Sequence, residues 1–203
     1  MRGLYSVKPW FVRRLRRVED LLVARRVSPD RLTAAAVVVS ILCGAVLALG
    51  GAVEEPGLWL LVPPLAVVRL ALNALDGSLA RRTGSGRPFG EVMNEMGDRA
   101  ADAAMLAPLG LVVSPALALG ALSAALFASA AGLLGSAVAG ARLSGGPMGK
   151  VDRVAVLACA APVAALAATP QLFVIALWLI LVGSIWTAVI RVVSLARTAG
   201  GER

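Results

Sequence analysis

The chain has 203 residues, of which 59% are hydrophobic and only 16% charged, with 20 Lys+Arg against 12 Asp+Glu and no histidine, a net charge of +8. Soluble domains carry about a quarter charged residues, so a water-soluble enzyme, a disordered tail and a disulfide scaffold are excluded. A polytopic membrane protein is implied, and basic residues set between long apolar runs suit an anionic membrane surface rather than nucleic acid.

Residues 1–31 read as a cytoplasmic interfacial segment. Phe11, Leu15, Val18 and Leu22 follow helical spacing, with Trp10 beside them and Arg13, Arg16, Arg17 and Asp20 off that stripe. A basic amphipathic helix with an aromatic anchor lies in the membrane interface; the alternative is a solvated helix packed on another protein. A signal peptide does not fit, because a long basic segment precedes an apolar run too long for its hydrophobic region. Ser28-Pro29-Asp30 marks a break.

Six spans are expected over residues 32–195, each needing about 20 mostly apolar residues. Leu32 to Val53 is uncharged, and Leu58 to Leu75 is broken only by Arg69. The uncharged stretch from Ala103 to Ala141 is too long for one crossing and splits at Ser114–Pro115, the earlier helix starting near Gly90. Val154 to Ile190 splits in the same way near Thr169–Pro170. Nine basic residues, Arg2 to Arg31, precede the first span; others fall in alternate loops (Arg81, Arg82, Arg87; Arg142, Lys150, Arg153) and at the end (Arg191, Arg197, Arg203). The opposite loops have no Lys or Arg. This asymmetry places both termini in the cytoplasm of a multi-pass protein of the inner or plasma membrane. With no repeat and no low-complexity linker, residues 1–203 read as one domain.

Cys43 and Cys159 lie inside apolar runs and read as small buried side chains. Without histidine or a cysteine pair, zinc and haem sites are not expected; a metal here is held by oxygen, which favours Mg²⁺ or Mn²⁺.

Charged groups inside spans are costly and mark function. Arg69, Asn73, Asp76, Gly77 and Ala80 share one face of the second helix, and Gly90, Asn94, Asp98 and Asp102 follow at every fourth position in the third, with Glu91 and Glu95 flanking. Crowded carboxylates in low dielectric call for a cation, arginines nearby suit phosphate, and together they describe phosphoryl transfer. Interhelical glue or an ion path is the plainer reading of the same residues.

Asn73-x-x-Asp76-Gly77-x-x-Ala80-Arg81, then eight residues, Gly90-x-x-x-Asn94-x-x-x-Asp98 resembles the signature of the CDP-alcohol phosphotransferase family, D-x2-D-G-x2-A-R-x8-G-x3-D-x3-D, with matching spacing at every step. Asparagine stands at the first and third aspartate positions. The resemblance implies transfer of a phosphoalcohol from a CDP-alcohol, such as CDP-diacylglycerol, to an acceptor alcohol, with release of CMP in phospholipid synthesis. It implies Mg²⁺ or Mn²⁺ on Asn73, Asp76, Asn94 and Asp98, with Asp98 as general base. Gly77, Ala80, Arg81 and Gly90 would shape the cytidine diphosphate site, and a homodimer is consistent with the family. The two asparagines weaken a two-metal site, since an amide ligates without charge. Three outcomes are open: one ion on Asp76 and Asp98 with amide help; restored charge from Glu95, Asp102 or Glu91; or lost catalysis with a CDP-lipid binding or transport role. In the loop from Gly145 to Arg153, Lys150 and Arg153 could meet an anionic acceptor, or merely serve the positive-inside pattern.

Overall fold

The computed structural model describes residues 14–199 apart from 85, 141, 142 and 144. Trp10, Phe11 and Arg13 of the expected interfacial helix lie outside them, as do Arg2, Arg142 and Arg203 of the charge pattern. Among the described residues the elements are helical: α1 (Arg16–Ala24), α2 (Pro29–Ala52), α3 (Val62–Thr83), α4 (Pro88–Leu106), α5 (Pro115–Ala139), α6 (Lys150–Leu166) and α7 (Gln171–Ala199). Short 3₁₀ turns, Pro56–Leu61 and Ala107–Leu111, lead into α3 and follow α4.

The punctuation is chemical. Pro29, Pro88 and Pro115 open helices in their first turns, where a missing N–H costs nothing. The Ser114 hydroxyl accepts from Leu117 N at 3.4 Å. Gly84 closes α3 in the left-handed region at φ 62°. That closure corrects the expected loop: Arg81 and Arg82 belong to the last turn of α3, where cations complement the helix dipole, and only Arg87 precedes α4. Lys150 and Arg153 likewise sit in α6 rather than in a loop, because the Asp152 carboxylate accepts from Gly149 N at 2.9 Å and starts the helix there.

Four stretches are long and apolar enough to cross a membrane: Pro29–Ala52, Pro56–Thr83, Pro115–Val138 and Gln171–Ala199. Helix α4 carries the charged residues, and α6 has 17 residues, so neither meets that measure. The outer surface is apolar: Val38, Leu42, Phe127, Leu166, Trp178 and Trp186 all point away from the bundle. Such a surface suits lipid, and the protein is a membrane protein.

Because lipid is as apolar as leucine, close packing must join the helices. Small residues provide it. Ala118, Ala121, Ala125 and Ala128 form a fully buried stripe on α5 against α7, which answers with Phe173, Ala176, Leu177 and Ile180. Helices α3 and α4 both pack on α2, and α6 bridges α3 to α7. At the end away from the charged residues, Trp59 Nε1 donates to Leu47 O at 3.1 Å and its ring meets Phe173 edge-on at 5.0 Å.

Two expectations are corrected. Cys43 is buried, but Cys159 is exposed on the outer face of α6. Leu15, which caps α1, and Leu22 within it pack toward Leu32, Leu75 and Leu79, whereas Val18 faces outward with Leu21. The buried residue of α1 is Glu19, whose charge is met by the Ser78 hydroxyl at 2.6 Å and by Arg82.

Candidate functional site

The charged residues of α3 and α4 converge where these helices pack on α2, beside the start of α6. A cavity of about 290 Å³ opens there. The α3 wall is Asp76, Gly77, Ala80 and Arg81; the α4 wall is Gly90, Glu91 and Asn94; Asp30 and Thr33 of α2 and Arg87 complete it. Spacing on two helices thus becomes one surface, since residues three and four apart share a helical face.

Asp76 is 4% exposed. Its Oδ2 accepts from Thr33 Oγ1 at 3.1 Å and its Oδ1 from Gly77 N at 2.5 Å. Thr33 also packs against α4 at Gly97, where a methyl would meet Thr33 Cγ2 at 2.7 Å. Asn94 Oδ1 is buried with no hydrogen-bond partner. An orphaned acceptor costs about 1–3 kcal/mol, so an acceptor of this kind beside a buried carboxylate suits a cation or a ligand donor. Gly77 and Gly90 leave open room on the cavity side: a methyl there would come no nearer than 3.5 Å to Arg81 Nη1 and to Asp30 Oδ1 respectively.

Asn73 and Asp98 face elsewhere. The Lys150 ammonium lies 2.6 Å from Asp98 Oδ2 and 3.3 Å from Asn73 Oδ1. One turn further along α6, Arg153 donates to Asp102 Oδ2 at 2.5 Å, and Arg69 of α3 reaches Asp102 Oδ1 at 3.3 Å. Asp102 is therefore committed to two guanidiniums, and Arg153, 3% exposed, is turned inward to it rather than toward an acceptor. Glu95 pairs with Arg99 at 2.7 Å along α4. Glu91 lines the cavity but is exposed. Among the described residues, no three His, Cys, Asp or Glu side chains gather closely enough to hold a metal ion. Of the motif residues on the cavity wall, the Asp76 carboxylate and the Asn94 amide oxygen are those that could hold a divalent ion.

At the rim, Arg87 pairs with Asp30 at 2.7 Å. Neither Asp30, read only as part of the break before α2, nor Thr33 stood out in the sequence as a site residue. Both precede the motif by some forty residues or more and carry no local signal; the packing of α2 on α3 and α4 brings them in.

No protein-family model matches the sequence. The inner membrane protein YnbA of Escherichia coli (strain K12) is 38% identical over 152 residues, 74% of each chain. Three solved structures of Mycobacterium tuberculosis phosphatidylinositol phosphate synthase (PgsA1) share the fold at 22% identity. The form with CDP-DAG bound has a TM-score of 0.71, covering 88% of this chain and 92% of that one. The complex with manganese and citrate has a TM-score of 0.70, with 88% and 87% covered. The apo form also has 0.70, with 91% and 97% covered. With a cavity between α2, α3 and α4, an apolar exterior and this extent of identity, the chain belongs to the family of the inner membrane protein YnbA, on the fold of phosphatidylinositol phosphate synthase.

Proposed function

We propose that this protein is a CDP-alcohol phosphotransferase that moves a phosphoalcohol, from a donor such as CDP-diacylglycerol, to an acceptor alcohol with release of CMP. The observation that carries the reading is the convergence of Asp76, Gly77, Ala80, Arg81, Gly90 and Asn94 on one cavity. These are motif residues from two helices, and a site kept only as helix glue needs no open space between them. The 22%-identical structures, one with CDP-DAG and one with manganese, support the donor class and a divalent cofactor.

In this reading, helices α2 to α7 are six crossings, α1 lies at the cytoplasmic interface, and both termini are cytoplasmic. The cytidine diphosphate enters the cavity over Gly77 and Gly90, with Arg81 and Arg87 meeting its phosphate oxygens. Asp76 and Asn94 would hold Mg²⁺ or Mn²⁺, which when bound supplies charge neutralisation on the diphosphate. The acceptor oxygen attacks the phosphorus bearing the lipid alcohol. Its bond to the bridging oxygen breaks, CMP departs with that oxygen, and Asp98, which must first be released from its Lys150 contact to reach the cavity, takes the acceptor's proton.

The test is CMP release from CDP-diacylglycerol by the protein in lipid nanodiscs, with Mg²⁺ or Mn²⁺ and a panel of alcohols and alcohol phosphates. Metal-dependent CMP with one acceptor is expected, and Asp98→Asn should lower the rate about 10²–10⁴-fold while the protein stays monodisperse. Full activity in Asp98→Asn would remove Asp98 as the base. CDP-lipid binding with no CMP from any acceptor would make this a binding protein.

A further inference from the structure

We infer that the Lys150 ammonium stands in for a second divalent ion, so that this chain binds one divalent cation where a four-aspartate site would bind two. The inference rests on the proposed transferase site and specifies its cation content.

The four motif positions divide into two pairs, each with one Asp and one Asn and each drawing one residue from α3 and one from α4. Asn73 and Asp98 form the first pair, and a single ammonium bridges them, at 3.3 and 2.6 Å. Asp76 and Asn94 form the second, on the cavity wall, and there the Asn94 oxygen is buried without a partner. An ammonium has three donors and one charge. It serves a neutral amide and one carboxylate well and would serve two carboxylates less well, which makes Asn73 and Lys150 a matched set.

The local charge supports the same division. Where α3, α4 and α6 meet, three cations (Arg69, Lys150 and Arg153) stand with three carboxylates (Asp76, Asp98 and Asp102), and the cavity adds two of each sign (Arg81 and Arg87, Asp30 and Glu91). One divalent ion adds two positive charges, which the two negative charges of a bound diphosphate diester offset. A second would leave two positive charges unmatched in low dielectric, where unpaired charge is costly. Placement of the lysine is also built in. Lys150 opens α6 at the Gly149–Asp152 cap, and Lys150 and Arg153, three apart, meet Asp98 and Asp102, four apart on α4.

The test counts Mn²⁺ per chain by electron paramagnetic resonance on the full protein in nanodiscs, titrated with MnCl₂ alone. Wild type is expected to bind one ion. Asn73→Asp/Lys150→Gln removes one positive charge and adds one negative, the deficit a divalent ion fills, and should bind two, with the spectrum of a coupled pair. Asn73→Asp alone, with Lys150 in place, should still bind one. Two ions or none in wild type, two in Asn73→Asp, or one in a monodisperse double variant would each overturn the inference. If the double variant does not fold, the wild-type and Asn73→Asp counts decide. CMP release is scored separately. Two ions with CMP release would sink the substitution of Lys150 and spare the transferase; one ion without CMP from any acceptor would do the reverse.

Discussion

Arg153 donates to Asp102 at 2.5 Å with both side chains almost wholly enclosed, at 3% and 4% exposure. Arg69 grips the other oxygen of the same carboxylate from α3, so Asp102 ties α3, α4 and α6 together. Removing one member of a buried ion cluster leaves uncompensated charge, at a cost of about 3–5 kcal/mol. Asp102→Asn should therefore lower the thermal midpoint of the detergent-solubilised protein sharply. Asp98→Asn, whose lysine partner retains 21% side-chain exposure and some access to water, should lower it less. Equal effects would refute a structural role specific to Asp102.

The sequence carried the parts of this arrangement that depend on local spacing. Positions 76, 77 and 80 on α3 and 90 and 94 on α4 reach one cavity because helices have a fixed period and α3 and α4 needed only to be neighbours, whereas 73 and 98 of the same motif turn to Lys150. It did not carry the parts set by packing at long range. Thr33 reaches Asp76 across 43 residues, and Lys150 reaches Asn73 across 77. Glu19 was hidden for another reason: a glutamate beside arginines reads as a wet surface, yet Ser78 and Arg82 satisfy it at a buried contact. Asp102 lay on the expected arc, but whether it faced the cavity or two arginines depended on Arg153, 51 residues later.

Arg87 and Asp30 make an exposed pair at the rim. Such pairs contribute about 0–1 kcal/mol to stability, so Arg87→Ala should leave the thermal midpoint in place. If Arg87 meets a donor phosphate, losing that charged hydrogen bond is worth about 1.5–3 kcal/mol, and the KM for CDP-diacylglycerol should rise about tenfold or more. Steady-state CMP release with varied donor checks this, and an unchanged KM would place the diphosphate away from Arg87.

Glu19 accepts from Ser78 Oγ at 2.6 Å and so fastens α1 to α3. Hydrogen bonds to a charged partner are worth about 1.5–3 kcal/mol. Glu19→Ala should loosen α1 while leaving the helices beyond it folded. Trypsin cleavage after Arg25 and Arg26 reports on this: the variant should be cut about tenfold faster or more, with the fragment beginning at Val27 surviving. Unchanged cleavage would mean that the leucine contacts of Leu15 and Leu22 hold α1 by themselves.

The glycines separate fold from site. A methyl on Gly44 would collide with the Ala104 carbonyl oxygen where α2 meets α4, and one on Gly50 with the Trp59 indole. Overpacking of this kind costs about 1–3 kcal/mol, and backbone cannot swing away, so Gly44→Ala should lower the thermal midpoint without favouring any ligand. Gly77 and Gly90 differ, because a methyl there meets only side-chain atoms at 3.5 Å. Gly77→Ala and Gly90→Ala should hold or raise the midpoint, since alanine favours a helix by up to about 1 kcal/mol over glycine. Leucine at either position would project into a cavity of about 290 Å³. Gly77→Leu and Gly90→Leu should therefore abolish CDP-diacylglycerol binding, read by displacement of a fluorescent CDP-lipid, while the midpoint stays within a few degrees of wild type. If both leucine variants bind the donor as wild type does, the donor does not occupy this cavity, and the open space at Gly77 and Gly90 needs another occupant.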